Sequence, residues 1–471
     1  MITNNWRKYF LGFGVIATIY CLISFSLNGL TEHKSEFNVL YGVVLSITAF
    51  IAMYICCQGK RVYYSPITFA MHFIIGFPLA LTFVLEDENS GFAHKYGQYG
   101  FFGFTNAEYV NVVLVAIVGI AGIVFGQLIA KSLVNKNFKI TETYFKLSEN
   151  KLLFLIILWF ALSIILSTLM WNLGVGQLGL VRIDPLPFRL TGIMNYTRYI
   201  IVPVTSIILL SLTLKYQKTT NLKILLLLIF TEGLYSGIEA LSRAALFFRL
   251  IPVILYVFMT IQTNATKRLV SKYLIFGSLL LLFLLPLTTV LRDMAYEKGS
   301  YKISEVVEKK DKLHTGGFLN IKEVVSFAVM RIGGVTELMA VSASPLNDLE
   351  SFYGSMAQKI DFNKIVYGLD LTNGPGFAMG WGVSFFGYLF TSGSTLIVFL
   401  SSAFISAFLV WLEFKFYKID APEVNAVVGF MLAHFCWEGV INHVIFSLSV
   451  VVFIYLLLSY KYHLRETKLN V

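Results

Sequence analysis

Charge is scarce in this chain. Of 471 residues only 37 are Lys or Arg and 27 are Asp or Glu, 14% in all, where a soluble domain carries about 25%. That shortage excludes a soluble globular protein of this length, and no nucleic-acid partner is expected. Cysteine is nearly absent as well. Cys21, Cys56, Cys57 and Cys436 all fall inside apolar runs, without metal-ligand or secreted-framework spacing, and read as small hydrophobes packed between helices. There is no Walker motif, no Gly-x-Ser-x-Gly and no His-Glu-x-x-His. No Asp-x-Asp motif follows a strand, which argues against an enzyme fed by a cytosolic nucleotide-sugar. A substrate is expected to come from the membrane itself.

What is present is apolar length. The chain is 57% hydrophobic, with a mean hydropathy of +0.73. Runs of about 20 apolar residues mark membrane-spanning helices. Twelve are expected, at 9–29, 37–57, 65–85, 108–130, 152–170, 199–215, 222–240, 244–262, 272–291, 394–416, 424–441 and 444–460. The first follows Arg7-Lys8 but is too long for a signal-peptide core and lacks a small-x-small site, so it reads as an uncleaved helix. The fold class expected is an all-α polytopic membrane protein, one helical domain over 1–471.

Basic residues fix the expected orientation, because cytoplasmic connectors are enriched in Lys and Arg. Lys60/Arg61, the lysines at 131–151, Lys215/Lys218/Lys223, Lys267/Arg268/Lys272, Lys415/Lys418 and the Lys461–Lys468 tail all fall on one side. The opposite connectors, such as Glu86-Asp-Glu-Asn, are acidic or balanced. Both termini are therefore expected in the cytoplasm. The stretch Leu291–Phe390, with its loop over 292–393, is then expected on the outer face. Two apolar pieces within it, Val324–Val341 and Pro375–Phe390, would put Asp348, Glu350, Asp361 and Asp370 inside if both crossed the membrane. Re-entrant or interfacial helices fit the charge better.

Four constellations carry candidate chemistry. Seven arginines, Arg182, Arg189, Arg198, Arg243, Arg249, Arg292 and Arg331, fall at the outer face or in the outer half of the membrane, where lysine would be the ordinary surface cation. A planar guanidinium binds phosphate oxygens bidentately, although snorkelling and intramembrane ion pairing also use arginine. The run Gly237-Ile-Glu-Ala-Leu-Ser-Arg243 makes a tight outer turn. There Ser242 could cap a helix whose N-terminus favours an anion beside Arg243. Glu239 lies four residues before Arg243, so a plain ion pair is the other reading. Within Arg331-Ile-Gly-Gly-Val-Thr-Glu337 the paired glycines are expected to break a helix, as happens where backbone lines a polar cavity. Glu337 is then a candidate general base or a partner for an arginine. Lastly, His434-Phe-Cys-Trp-Glu438 places two polar groups on one helix face, with His443 beyond; a third metal ligand at helical spacing is absent.

Taken together these features resemble the bacterial O-antigen (oligosaccharide repeat-unit) polymerases of the Wzy type. The resemblance rests on about a dozen spans, the basic connector 171–198, Ser242-Arg243-Ala-Ala-Leu at an outer turn, and one large outer loop with an embedded Arg-Gly-Gly. Gly374-Pro-Gly leading to Trp381-Gly and Phe386-Gly-Tyr also fits. That family is very diverse, and no single motif is diagnostic. The resemblance implies a metal-independent glycosyltransferase of the bacterial inner membrane, active at the periplasmic face and needing no cofactor. It would transfer a growing glycan from undecaprenyl pyrophosphate to the next lipid-linked unit. Its partners would be undecaprenyl-pyrophosphate-linked oligosaccharide, the lipid bilayer and a chain-length regulator. It assigns the pyrophosphate to Arg243, Arg292 and Arg331, helped by Arg182 and Arg189, with Arg249 and His443 completing the substrate contacts. The base would be Glu337, or Glu438 as the second choice. Two other readings stay open. An O-antigen ligase shares the layout, but its usual His-Asn motif is replaced here by His314-Thr-Gly-Gly. A flippase for lipid-linked oligosaccharide would tend to show internal repeats and polar residues at mid-membrane.

Overall fold

The computed structural model describes residues 36–57, 106–133, 148–175, 186–215, 219–240, 346–356 and 385–417. It also describes scattered positions between 12 and 23 and at 253, 270, 272, 273, 338, 341, 342 and 344. Among these the regular structure is helical throughout, with no strand. The helices are α1 (Glu36–Cys57), α2 (Asn106–Leu133), α3 (Glu149–Asn172), α4 (Leu190–Tyr196), α5 (Val202–Lys215), α6 (Thr219–Glu239), α7 (Leu349–Met356), α8 (Phe385–Phe390) and α9 (Thr395–Tyr417). A short 3-10 turn at Pro187–Arg189 leads into α4, and a π-turn at Thr197–Ile201 joins α4 to α5. Five helical stretches are long and apolar enough to cross a membrane: Val110–Leu133, Glu149–Asn172, Pro187–Leu214, Thr220–Glu239 and Thr395–Leu412. Large apolar side chains stay exposed on them, Phe404 at 72% and Phe154 at 63% among them. Helices that are apolar all round suit hydrocarbon rather than water.

The expected spans 37–57, 108–130, 152–170, 222–240 and 394–416 coincide with α1, α2, α3, α6 and α9 to within a few residues. The span expected at 199–215 begins earlier. Pro187 opens the helical run, a position where a missing N–H costs nothing, and helix continues to Lys215. The basic connector expected over 171–198 is correspondingly shorter: Arg198 belongs to helix rather than to loop, while Arg189 stands at its cap in left-handed conformation, just before Leu190.

α2 and α9 form a close crossing. A Cβ added at Gly126 would lie 2.0 Å from the Ala403 carbonyl oxygen, and one at Gly122 would lie 2.5 Å from that of Phe399. Only hydrogen fits there, as in other membrane crossings of small residues. Ser406 Oγ donates to the Ile123 carbonyl at 2.9 Å across the same seam. Phe386, on α8, presses its ring onto Gly119.

α8 belongs to the stretch expected as re-entrant or interfacial. Its six residues are all buried and span roughly 9 Å, far short of the ~30 Å hydrocarbon core. The chain leaves it through Gly393, whose φ of +67° and proximity to Asn347 leave no room for a side chain; a Cβ would sit 2.6 Å from the Asn347 carbonyl oxygen. α7 docks beside it, with Phe352 and Tyr388 ring centroids 6.0 Å apart. Asn111 of α2 donates to Ser342 Oγ at 3.0 Å. Part of the expected outer loop is thus built into the helical bundle.

Candidate functional site: a buried ionic cluster

α3, α5 and α6 meet through side chains whose pairing sets their directions. Ser163 on α3 bonds Glu232 on α6, and Thr168 bonds Tyr235, so these two helices run parallel. Trp159 Nε1 donates to the Val202 carbonyl at 3.1 Å while Met170 lies beside Arg198, so the intervening helix runs antiparallel to both. Three successive spans alternate in direction.

The helix turns irregular where Pro203 requires it. A proline inside a helix cannot donate to the carbonyl four residues back and crowds it, here that of Tyr199. The backbone widens instead, and the Val202 N–H reaches the Thr197 carbonyl in an i→i−5 bond. Such π-turns concentrate at functional sites. This one carries Arg198, which is fully buried.

Around Arg198 the partners come from all three helices. Nε donates to Ser236 Oγ at 2.9 Å, Nη2 donates to the Ser236 carbonyl, and Nη2 also pairs with Glu239. Among the described residues Nη1 meets the Met170 sulfur, at 4.0 Å, and the Tyr199 ring lies 5.7 Å from the guanidinium carbon. Ser236 and Glu239 are one turn apart on α6, and Glu232 is one turn before Ser236, so a single face of that helix presents all three. Glu232 is buried and accepts a bond from Ser163 Oγ at 2.8 Å. It stands roughly 10 Å below Glu239 along the helix axis. Ser167, buried one turn from Met170, has a hydroxyl with no hydrogen-bond partner among the described residues. The same is true of Thr191 Oγ1 and Asn195 Oδ1, which lie two turns and one turn before Arg198. A buried guanidinium and carboxylate cost several kcal/mol each to desolvate, so the geometry has to hold them together.

Of the nine site residues expected from the sequence, the structure describes one. Arg189 is exposed at the head of the 187–215 helix, in left-handed conformation with φ +57°, next to Phe188 at φ +55° and 90% exposed. Arg182, Arg243, Arg249, Arg292, Arg331, Glu337, Glu438 and His443 lie outside the described residues. Arg198, one of the seven outer arginines, follows the ion-pairing alternative and is turned inward onto Glu239. Among the described residues Glu239 pairs with Arg198; the expected alternative of a Glu239–Arg243 pair involves Arg243, which lies outside the described residues. Glu232 is not among the residues expected from the sequence, although its signal is legible there as an acid in the body of an apolar run, which is functional or paired by default. No group of three or more His, Cys, Asp or Glu among the described residues could hold a metal ion.

The class these features define is a helical membrane protein with an ionic cluster buried among its spans. No family model matches the chain, and no curated protein or solved structure matches it either.

Proposed function

We propose that this chain is a polymerase of lipid-linked oligosaccharide repeat units, spanning the bacterial inner membrane twelve times with both termini in the cytoplasm. Its working face is periplasmic, the side to which the Arg189 head of the 187–215 helix and the Glu239 end of α6 point under that topology. An acceptor hydroxyl attacks the anomeric carbon of the donor glycan while the bond to the undecaprenyl pyrophosphate oxygen breaks. The hydroxyl proton passes to Glu337, or to Glu438, and the negative charge leaves on the lipid pyrophosphate. Arginines at the outer face, Arg243, Arg292 and Arg331 first among them, stabilise that charge as it develops. The observation that supports this reading best is the latch of Arg198 onto Ser236 and Glu239. It holds one arginine-bearing helix end against the end of α6, from which the chain continues to Ser242 and Arg243.

A second reading draws on Glu232. A carboxyl buried in the body of a membrane-length helix, bonded to a serine on its neighbour, is what a transporter of the same lipid-linked oligosaccharide would carry. Deleting the gene in its host and running the surface polysaccharide on a gel separates the two. A polymerase leaves core plus a single repeat unit in place of the long ladder. Absence of any repeat unit points to the transporter, or to a ligase, and an unchanged ladder rejects the polysaccharide reading for that glycan.

A further inference from the structure

Resting on the polymerase reading, we infer that Arg198 is a positioning residue: it binds no phosphate itself and sets where the helix head that carries Arg189 stands against the end of α6. Nε and Nη2 of its guanidinium are engaged by the neighbouring helix, Nε with Ser236 Oγ and Nη2 with the Ser236 carbonyl and Glu239, while Nη1 faces the Met170 sulfur. The three contacts to Ser236 and Glu239 lie on the last two turns of α6. They fix the height and rotation of that helix end relative to the π-turn. Arg189 sits nine residues upstream of Arg198, roughly 13 Å along the axis, at the exposed head of the same helical run. Glu239 is the last residue of α6, four before Arg243 in the chain. One side chain therefore ties together the roots of two segments that each lead to an arginine assigned to the pyrophosphate.

The π-turn makes the latch specific. Because Pro203 enforces the wide turn, Arg198 is held at a fixed point of an irregular backbone, packed between Met170 and Tyr199. A lysine there would keep a cation facing Glu239 but has neither the fork nor the reach to serve Ser236 twice and Glu239 once. Displacing a charge-stabilising group by about 1 Å can cost a hundredfold in rate while substrate binding changes little, because the arginines act on charge that develops only as the bond breaks.

The test uses the full-length protein in lipid nanodiscs and the host's own lipid-pyrophosphate-linked repeat unit, with glycan extension followed on a gel. For Arg198→Lys, kcat is expected to fall about tenfold to a hundredfold, KM to stay within about twofold, and the thermal unfolding curve to leave the protein folded at the assay temperature. Ser236→Ala removes only the hydroxyl that accepts from Nε, and a fall of about fivefold in kcat is expected from one lost bond. This milder variant decides the matter should Arg198→Lys not fold. Full kcat in both folded variants, or a loss that follows the unfolded fraction, overturns the inference alone. A KM rise with unchanged kcat overturns it too, since that marks Arg198 as a ground-state ligand. A wild-type protein that extends no glycan overturns the polymerase reading, and this inference with it.

Discussion

The α2–α9 crossing and the α3–α5–α6 cluster solve the same problem by opposite means. Within hydrocarbon there is little hydrophobic force to press one helix on another. The first pair closes the distance by deleting side chains, until Gly122 and Gly126 face carbonyl oxygens with nothing between. The second group keeps long polar side chains and makes each contact a hydrogen bond or ion pair. One interface tolerates no added atom, and the other tolerates no lost one. The first belongs to a scaffold and the second to a place where backbone geometry has to be held at a defined setting.

Substitutions can break each arrangement on its own terms. The largest effect is expected from Gly126→Leu, because even its Cβ would overlap the Ala403 carbonyl oxygen. Size-exclusion of a fluorescent fusion is expected to show no folded monodisperse protein; a normal peak would mean that α2 and α9 are not this close. Next comes Arg198→Ala, which strands Glu239 in the cluster. Removing one partner of a buried pair costs about 3–5 kcal/mol, so unfolding in a detergent titration should shift by that amount. The double variant Arg198→Met with Glu239→Leu should recover most of it, and an equal loss in the double would deny that the two charges depend on each other.

The smallest effect concerns Asp348, which caps α7. The Ser351 backbone N–H donates to its carboxylate at 2.7 Å. That bond, followed by the Ser351 side chain, holds the Asp348 carboxyl below its ordinary value against a weak opposing desolvation. A carboxyl depressed in the folded state stabilises above its unfolded pKa, and that contribution is lost as pH falls through the folded one. The protection of the Ser351 amide, its exchange rate relative to the free-peptide rate at the same pH, should therefore persist from neutral pH down through the ordinary carboxylate range and be lost only below it. Asp348→Asn should remove the pH dependence. An amide that exchanges alike in both proteins would show that the cap contributes nothing.

Sequence reading reaches the helices because crossing a bilayer is a one-dimensional criterion: enough apolar residues in a row, and a charge bias between rows. That is sufficient for α2, α3, α6 and α9. It misses the helical turns before residue 199 because Arg198 looks like surface charge, and an inward arginine is invisible until its acceptor is known. Ser236 and Glu239 lie far along the chain, and only packing brings them to Arg198. Pro203 does signal an irregular turn, but which way the widened backbone aims Arg198 depends on α3 and α6 together. The spacing of Gly119, Gly122 and Gly126 is open to inspection, yet a glycine stripe has meaning only once its partner helix is identified.

The order of synthesis gives the Arg198–Glu239 pair a further consequence. Arg198 leaves the ribosome some forty residues ahead of Glu239, a lag of roughly 2–8 s at about 5–20 residues per second. During that interval Arg198 lacks its Glu239 partner, and a lone cation at the hydrocarbon centre is disfavoured by about 2.5–3.5 kcal/mol. The two helices are therefore expected to enter the bilayer as one unit: a nascent chain stopped at Lys215 should integrate less completely than one extended through Glu239, and equal integration of the two would deny the dependence.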